Sequence, residues 1–110
     1  MKKEDEMTLK INHDQQYKKF YIDIAGRSAT LKYERFDGII DLRVLFVPQN
    51  LRGKGIAKKV IEHVVKFAKK NNLKIKTSCS YIANYLIEHP ELNEMVLKRE
   101  ELQNIVLSDN

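Results

Sequence analysis

The chain is poor in the residues that staple or anchor small proteins. It has one cysteine, Cys79, in 110 residues, so it cannot form an internal disulfide. Its three histidines, His13, His63 and His89, lie far apart in sequence, which leaves a clustered metal site without support. Tryptophan is absent and the five Tyr and four Phe are scattered, so stacking platforms for a nucleic-acid strand are sparse. No apolar run approaches the roughly 20 residues that cross a bilayer. Met1 to Glu6 is mostly charged and leads into no apolar signal core. The expectation from these absences is a cytoplasmic chain with no membrane partner. Only two prolines occur, Pro48 and Pro90, and each stands where an apolar segment stops. Glycines number four, and two of them, Gly53 and Gly55, fall in one short turn.

What is present describes an ordinary globule. A hydrophobic share of 43% and a charged share of 32% suit a folded chain rather than a disordered one. The length predicts a single domain over residues 1–110, with residues 1–8 frayed. The net charge of +5 raises the question of nucleic acid. Its lysines, however, are not one run: Lys58, Lys59, Lys66, Lys69 and Lys70 share the polar face of one helix with Glu62, as on a solvated surface. A polyanionic small ligand suits this modest basicity equally well.

In chain order, Leu9 to Asn12 reads as a short edge strand. Lys18 to Ile24 alternates Phe20, Ile22 and Ile24 with polar neighbours, the period of a half-buried strand. A turn at Gly26 to Ser28 leads to a second alternating run, Ala29 to Phe36, and Asp37-Gly38 is a strong hairpin signal. Ile39 to Val47 is denser in apolar residues and so central. Ile56, Val60, Ile61, Val64, Phe67 and Ala68 form one stripe of a helix from Gly55 to Asn71. Leu73 to Thr77 alternates again, and the helical crossover makes it a parallel neighbour of Ile39–Val47. Further helices are predicted over Ser80 to His89, stopped by Pro90, and over residues 91–107. The order is β-β-β-β-α-β-α-α, an α+β fold of helices on a mixed, mostly antiparallel sheet.

The most informative stretch is the junction of the central strand and the first helix: Val47-Pro48, then Arg52-Gly53-Lys54-Gly55, then the helix at once. The first N–H groups of a helix lack intrahelical partners and carry partial positive charge, so they bind anions. Two glycines let the backbone turn and approach a ligand closely, and Arg52 and Lys54 add charge. A pyrophosphate cradle fits. A P-loop does not, because Gly53-Lys54 is followed by Gly55 rather than Ser or Thr and the upstream glycine position holds Pro48. A dinucleotide fingerprint fails at Lys58, where its third glycine belongs.

The residues do match R-x-x-G-x-A, here Arg52-Gly53-Lys54-Gly55-Ile56-Ala57, which resembles the acyl-CoA loop of the GNAT superfamily of N-acetyltransferases. The downstream stretch TSCSYIANYLIEHPEL resembles small single-domain GNAT-like proteins that carry a T-C-x-Y segment and a later H-P. The resemblance covers roughly Phe36 to Met95. It implies a GNAT-like fold and an acetyl-CoA-dependent N-acetyltransferase acting on an unidentified amine. By the same resemblance the backbone at Phe46 and Val47 pairs with the pantetheine arm, and the amides of Gly53 to Ala57 hold the pyrophosphate. Cys79 then sits near the thioester as proton donor or acyl acceptor, and Tyr81 and Tyr85 are the nearest counterparts of the tyrosine that larger acetyltransferases use.

Many relatives carry His-Thr in the arrangement H-T-x-V-P just before the loop, where this chain has Val44 and Leu45. A histidine able to act as base is thus missing from that position. Cys79 also reads as a small buried residue, Tyr81 and Tyr85 as core or rim aromatics, and Asp41 with Arg43 as a pair on one strand face. Two rival functions stay open, a non-catalytic acyl-CoA-binding module and a basic domain for RNA or an acidic protein. The assembly expected is a monomer or weak homodimer.

Overall fold

A computed structural model describes residues 10–108, so the expectations for residues 1–8 and for a strand beginning at Leu9 lie outside the described residues. Five strands form one sheet in chain order: β1 (Asn12–Asp14), β2 (Lys19–Ile24), β3 (Arg27–Phe36), β4 (Ile39–Phe46) and β5 (Lys74–Thr77). All neighbours are antiparallel except β4 and β5, which run parallel. Their crossover is α1 (Ile56–Lys70), and α2 (Ser80–Ile87) and α3 (Leu102–Ser108) follow β5.

Turn chemistry fixes the register. Asp37 and Gly38 both adopt positive φ, 49° and 75°, the type I′ geometry that matches strand twist. Ala25 and Gly26 do the same at 52° and 80°. The first hairpin therefore turns earlier than the expected Gly26 to Ser28, and β3 starts at Arg27 rather than Ala29. The tighter loop pairs Ile24 with Arg27 and sets Ile22 opposite Ala29, so both sink into the same core face.

That face carries Phe20, Ile22, Leu31, Ile40, Leu42 and Ile75, all buried. Helix α1 lies across β2, β3 and β5 and buries Ile56, Val60, Ile61, Val64, Val65 and Ala68. Phe67, expected in this stripe, is only half-buried at its margin. Its ring meets Phe20 edge-on at 5.4 Å and His13 at 4.8 Å. The helix stops where Asn72 turns left-handed at φ 55°, with Leu73 N–H donating to the Ala68 carbonyl at 2.8 Å, a Schellman closure.

The C-terminal third departs from expectation. Helix α2 ends at Ile87, because Pro90 pushes His89 to φ −126° and ψ 70°. The continuous helix expected over residues 91–107 is instead a 3-10 turn at Pro90–Met95, an extended Val96, a left-handed Lys98 at φ 54°, a second 3-10 turn at Arg99–Glu101, and then α3. The break has a tertiary cause. Val96 bridges Ile75 on β5, Leu97 N–H donates to the Ile75 carbonyl at 2.8 Å, and Lys74 Nζ reaches the Glu94 carbonyl at 2.6 Å. Covering the edge of β5 outweighs one more turn of helix.

Candidate functional site

The site starts from an irregularity in β4. Lys32 pairs with Val44 but Tyr33 pairs with Leu42, so Arg43 is an extra residue with no opposite number, a β-bulge. Before the bulge, Ile40, Asp41 and Leu42 are buried; after it, Val44 and Phe46 are exposed. Arg43 Nε donates to Asp41 Oδ2 at 2.8 Å, which joins the two charges that share this face. Asp41 is only 4% exposed, and its Oδ1 has no partner among the described residues.

Pairing between β4 and β5 ends at Leu42 with Thr77, yet β4 runs on to Phe46 while the chain leaves β5 for α2. The side of β4 toward β5 is thus unpaired from Val44 onward, and a slot opens there. Thr77 clasps its closed end. Its hydroxyl donates to the Leu42 carbonyl at 2.7 Å and accepts the Cys79 N–H at 3.0 Å, leaving this buried side chain fully satisfied.

The slot widens into an open cleft of about 430 Å³, a volume suited to a small molecule. Leu45, Phe46 and Val47 form one wall, Leu51 to Gly53 and Gly55 to Ala57 another, and Tyr81 the third. Gly53 and Gly55 sit at φ +77° and +79°, and a Cβ added to either would meet no protein atom within 4 Å. Gly55 is the N-cap of α1, and no side chain caps that helix. The amides of Gly53 to Ala57 have no acceptor among the described residues. Open space and unpartnered N–H groups together fit a phosphate-bearing ligand.

Most of the residues singled out in the sequence come together here. Phe46, Val47, Arg52, Gly53, Gly55, Ile56, Ala57 and Tyr81 all line the cleft. Arg52 turns back on the strand, its Nε donating to the Val47 carbonyl at 2.9 Å, so one edge of its guanidinium is occupied. Lys54 is exposed and outside the lining. Cys79 is a free, partly buried thiol at the N-cap of α2, packed against the core rather than lining the cleft. Tyr81, 55% exposed, with Phe46 at 53%, is the lining residue that carries a hydroxyl. Sequence reasoning missed Leu45 and Leu51, whose apolar character resembles that of any core residue. It also gave Thr77 no role, although a Thr closing a strand just before a helix N-cap was visible.

Fold and site define the class: an α+β domain in which a strand edge, a glycine turn and a helix start converge on one slot. The chain belongs to the GCN5-related N-acetyltransferase family, whose model matches residues 19–95. Protein NATD1 of Mus musculus is 34% identical over 85 residues, which covers 74% of this chain and 77% of the relative. The Homo sapiens NATD1 protein is 33% identical over the same length, covering 74% and 75%. The solution structure of a GCN5-like protein from Staphylococcus aureus superposes with a TM-score of 0.67 at 32% identity, covering 83% of this chain and 90% of that one. No helix among the described residues is long and apolar enough to cross a membrane.

Proposed function

We propose that this protein is an acetyl-CoA-dependent N-acetyltransferase that moves an acetyl group to an amine. The observation that carries the reading is the row of amides from Gly53 to Ala57, without an acceptor among the described residues, at the mouth of a slot between parting parallel strands. Acetyl-CoA supplies the thioester, an acetyl group activated for attack. The chain's own part is to bind, orient and move a proton. The Gly53–Ala57 amides and the positive end of α1 hold the pyrophosphate. The open edge of β4 at Phe46 and Val47 offers backbone groups to the pantetheine arm, and the Val47 carbonyl keeps a lone pair free beside its bond from Arg52. The apolar walls at Leu45, Leu51 and Ile56 exclude water from the arm.

In this reading the Tyr81 hydroxyl, which lines the cleft, protonates the departing thiolate. Cys79, at the N-cap of the same helix, donates its N–H to the Thr77 hydroxyl and so ties the helix start to β5. A single thiol with no disulfide suits a cytoplasmic setting.

One observation favours a second reading, a non-catalytic acyl-CoA-binding module. Among the described residues that line the cleft, Tyr81 alone carries a hydroxyl, and the base position of many relatives holds Val44. Calorimetry with acetyl-CoA, followed by thiol release across a panel of small and peptide amines, decides between them. Binding with turnover supports the enzyme. Saturable binding with no thiol release for any amine supports the module, and no binding removes both.

A further inference from the structure

Helix α1 covers one face of the sheet, while on the other face Lys32, Val44 and Phe46 stand exposed. Side chains alternate along a strand, and cross-strand pairing puts Tyr21, Thr30 and Phe46 in one row on that open face. The two aromatics, far apart in sequence, are two strands apart in the fold, about 10 Å by strand spacing. Thr30 lies between them, its hydroxyl without a partner among the described residues. The next row along is Lys19, Lys32 and Val44. Lys19 and Lys32 are directly opposite, an arrangement of like charges that costs stability. Neither has an ion-pair partner among the described residues. The carboxylates beside them are engaged otherwise: Asp14, across from Lys19 on β1, accepts the Tyr17 N–H at 3.0 Å, and Lys18 Nζ holds Glu34 at 2.9 Å. Lys19 Nζ lies over the Tyr21 ring, 5.3 Å from its centroid. An anion bridging the two ammonium groups removes their repulsion and draws Lys19 off the ring.

We propose that this face binds single-stranded RNA, the lysine pair gripping a phosphate while Tyr21 and Phe46 stack bases. The proposal goes beyond the acetyl-CoA reading and stands without it. The two rows lie about 7 Å apart along the strands, within the reach from a stacked base to its own phosphate. Exposed rings on a sheet with cations beside them are a platform for unpaired bases, whereas a duplex keeps its base faces stacked on one another. Thr30 favours ribose, because its hydroxyl meets a 2′-OH that DNA lacks. The net charge of +5 suits a polyanion. An acidic polypeptide satisfies the lysines but leaves the rings unused.

Fluorescence anisotropy of the full chain with a short labelled oligouridylate, the matching oligodeoxyuridylate and a polyglutamate peptide tests the proposal. RNA is expected to bind more tightly than either of the others, with an affinity that falls as salt rises. Lys19→Gln combined with Lys32→Gln should make the logarithmic salt slope shallower by about 1.4, about 0.7 for each cation lost. Tyr21→Ala is expected to weaken RNA about tenfold, and Thr30→Val to bring RNA down to the affinity of DNA. Tyr21 is half-buried, so Thr30→Val and the lysine pair keep the test decisive should Tyr21→Ala fail to fold. Absence of RNA binding, polyglutamate bound as tightly as RNA, or an RNA affinity that neither Thr30→Val nor the lysine pair alters overturns the platform. None of these results touches the cradle, which calorimetry with acetyl-CoA tests by itself.

Discussion

Gly55 meets two separate demands. Its φ of +79° is a conformation that costs an L-residue roughly 1–2 kcal/mol, and the space where a Cβ would project is open cleft. Gly55→Val is expected to weaken CoA binding by about a hundredfold, the loss of two or three charge-assisted hydrogen bonds. Gly26 is the control, since it has the same φ, +80°, and equally empty surroundings but sits in the β2–β3 turn. Gly26→Val should lower the melting temperature similarly and leave calorimetric affinity unchanged. Thr77 is a residue of a different kind. Thr77→Val keeps the shape but strands the Cys79 N–H, so a loss of about 1–3 kcal/mol in urea unfolding is expected, with weaker CoA binding as the slot loses its clasp. Thr77→Ser keeps the hydroxyl and should restore both. The glycines were legible in sequence because positive φ selects for them directly. Thr77 was not, since its partner Leu42 lies 35 residues away.

Among the elements, β1 depends on aromatic contacts more than on its three residues of ladder. His13 stacks on Phe20 with centroids 3.9 Å apart, bonds to the Tyr33 hydroxyl and meets Phe67 edge-on, while His63 on α1 approaches Phe20 from another side. Both histidines are held below their usual range. For His13 the main cause is burial, followed by the charge of His63, with Asp14 opposing and Arg35 adding a little. For His63 it is burial, then Lys66. The unfolded chain takes up these protons near pH 6.5 whereas the folded protein resists them. Stability is therefore full above that value and falls as pH drops through it toward the lower folded values. The melting temperature is expected to decrease between pH 8 and pH 5.5, and the double substitution His13→Phe with His63→Gln should flatten the curve.

The elements also show where local pattern gives way. The apolar stripe of α1 and the Asp37-Gly38 hairpin are local facts, and both formed as expected. Residues 91–107 had helical composition too. There the unsatisfied edge of β5 competed for Leu97 and Val96, a demand that no window of sequence around them contains.

For the molecule as a whole, ligand binding and folding are linked, since the cradle exists only in the folded chain. CoA at about a hundredfold its dissociation constant should add roughly 2.7 kcal/mol to stability. In a domain of this size that raises the melting temperature by about 10 °C, and a scan showing no shift at millimolar CoA would remove the cofactor reading. The sequence by itself determined the strand and helix order, the parallel crossover and the glycine turn, because period, turn chemistry and the helical connection act over a few residues or along one crossover. Only the tertiary structure decided where β4 parts from β5, that Arg43 bulges, and that Tyr81 rather than Cys79 lines the cleft. Each of those depends on which backbone groups find partners across the sheet, and such partners are neighbours in space and strangers in sequence.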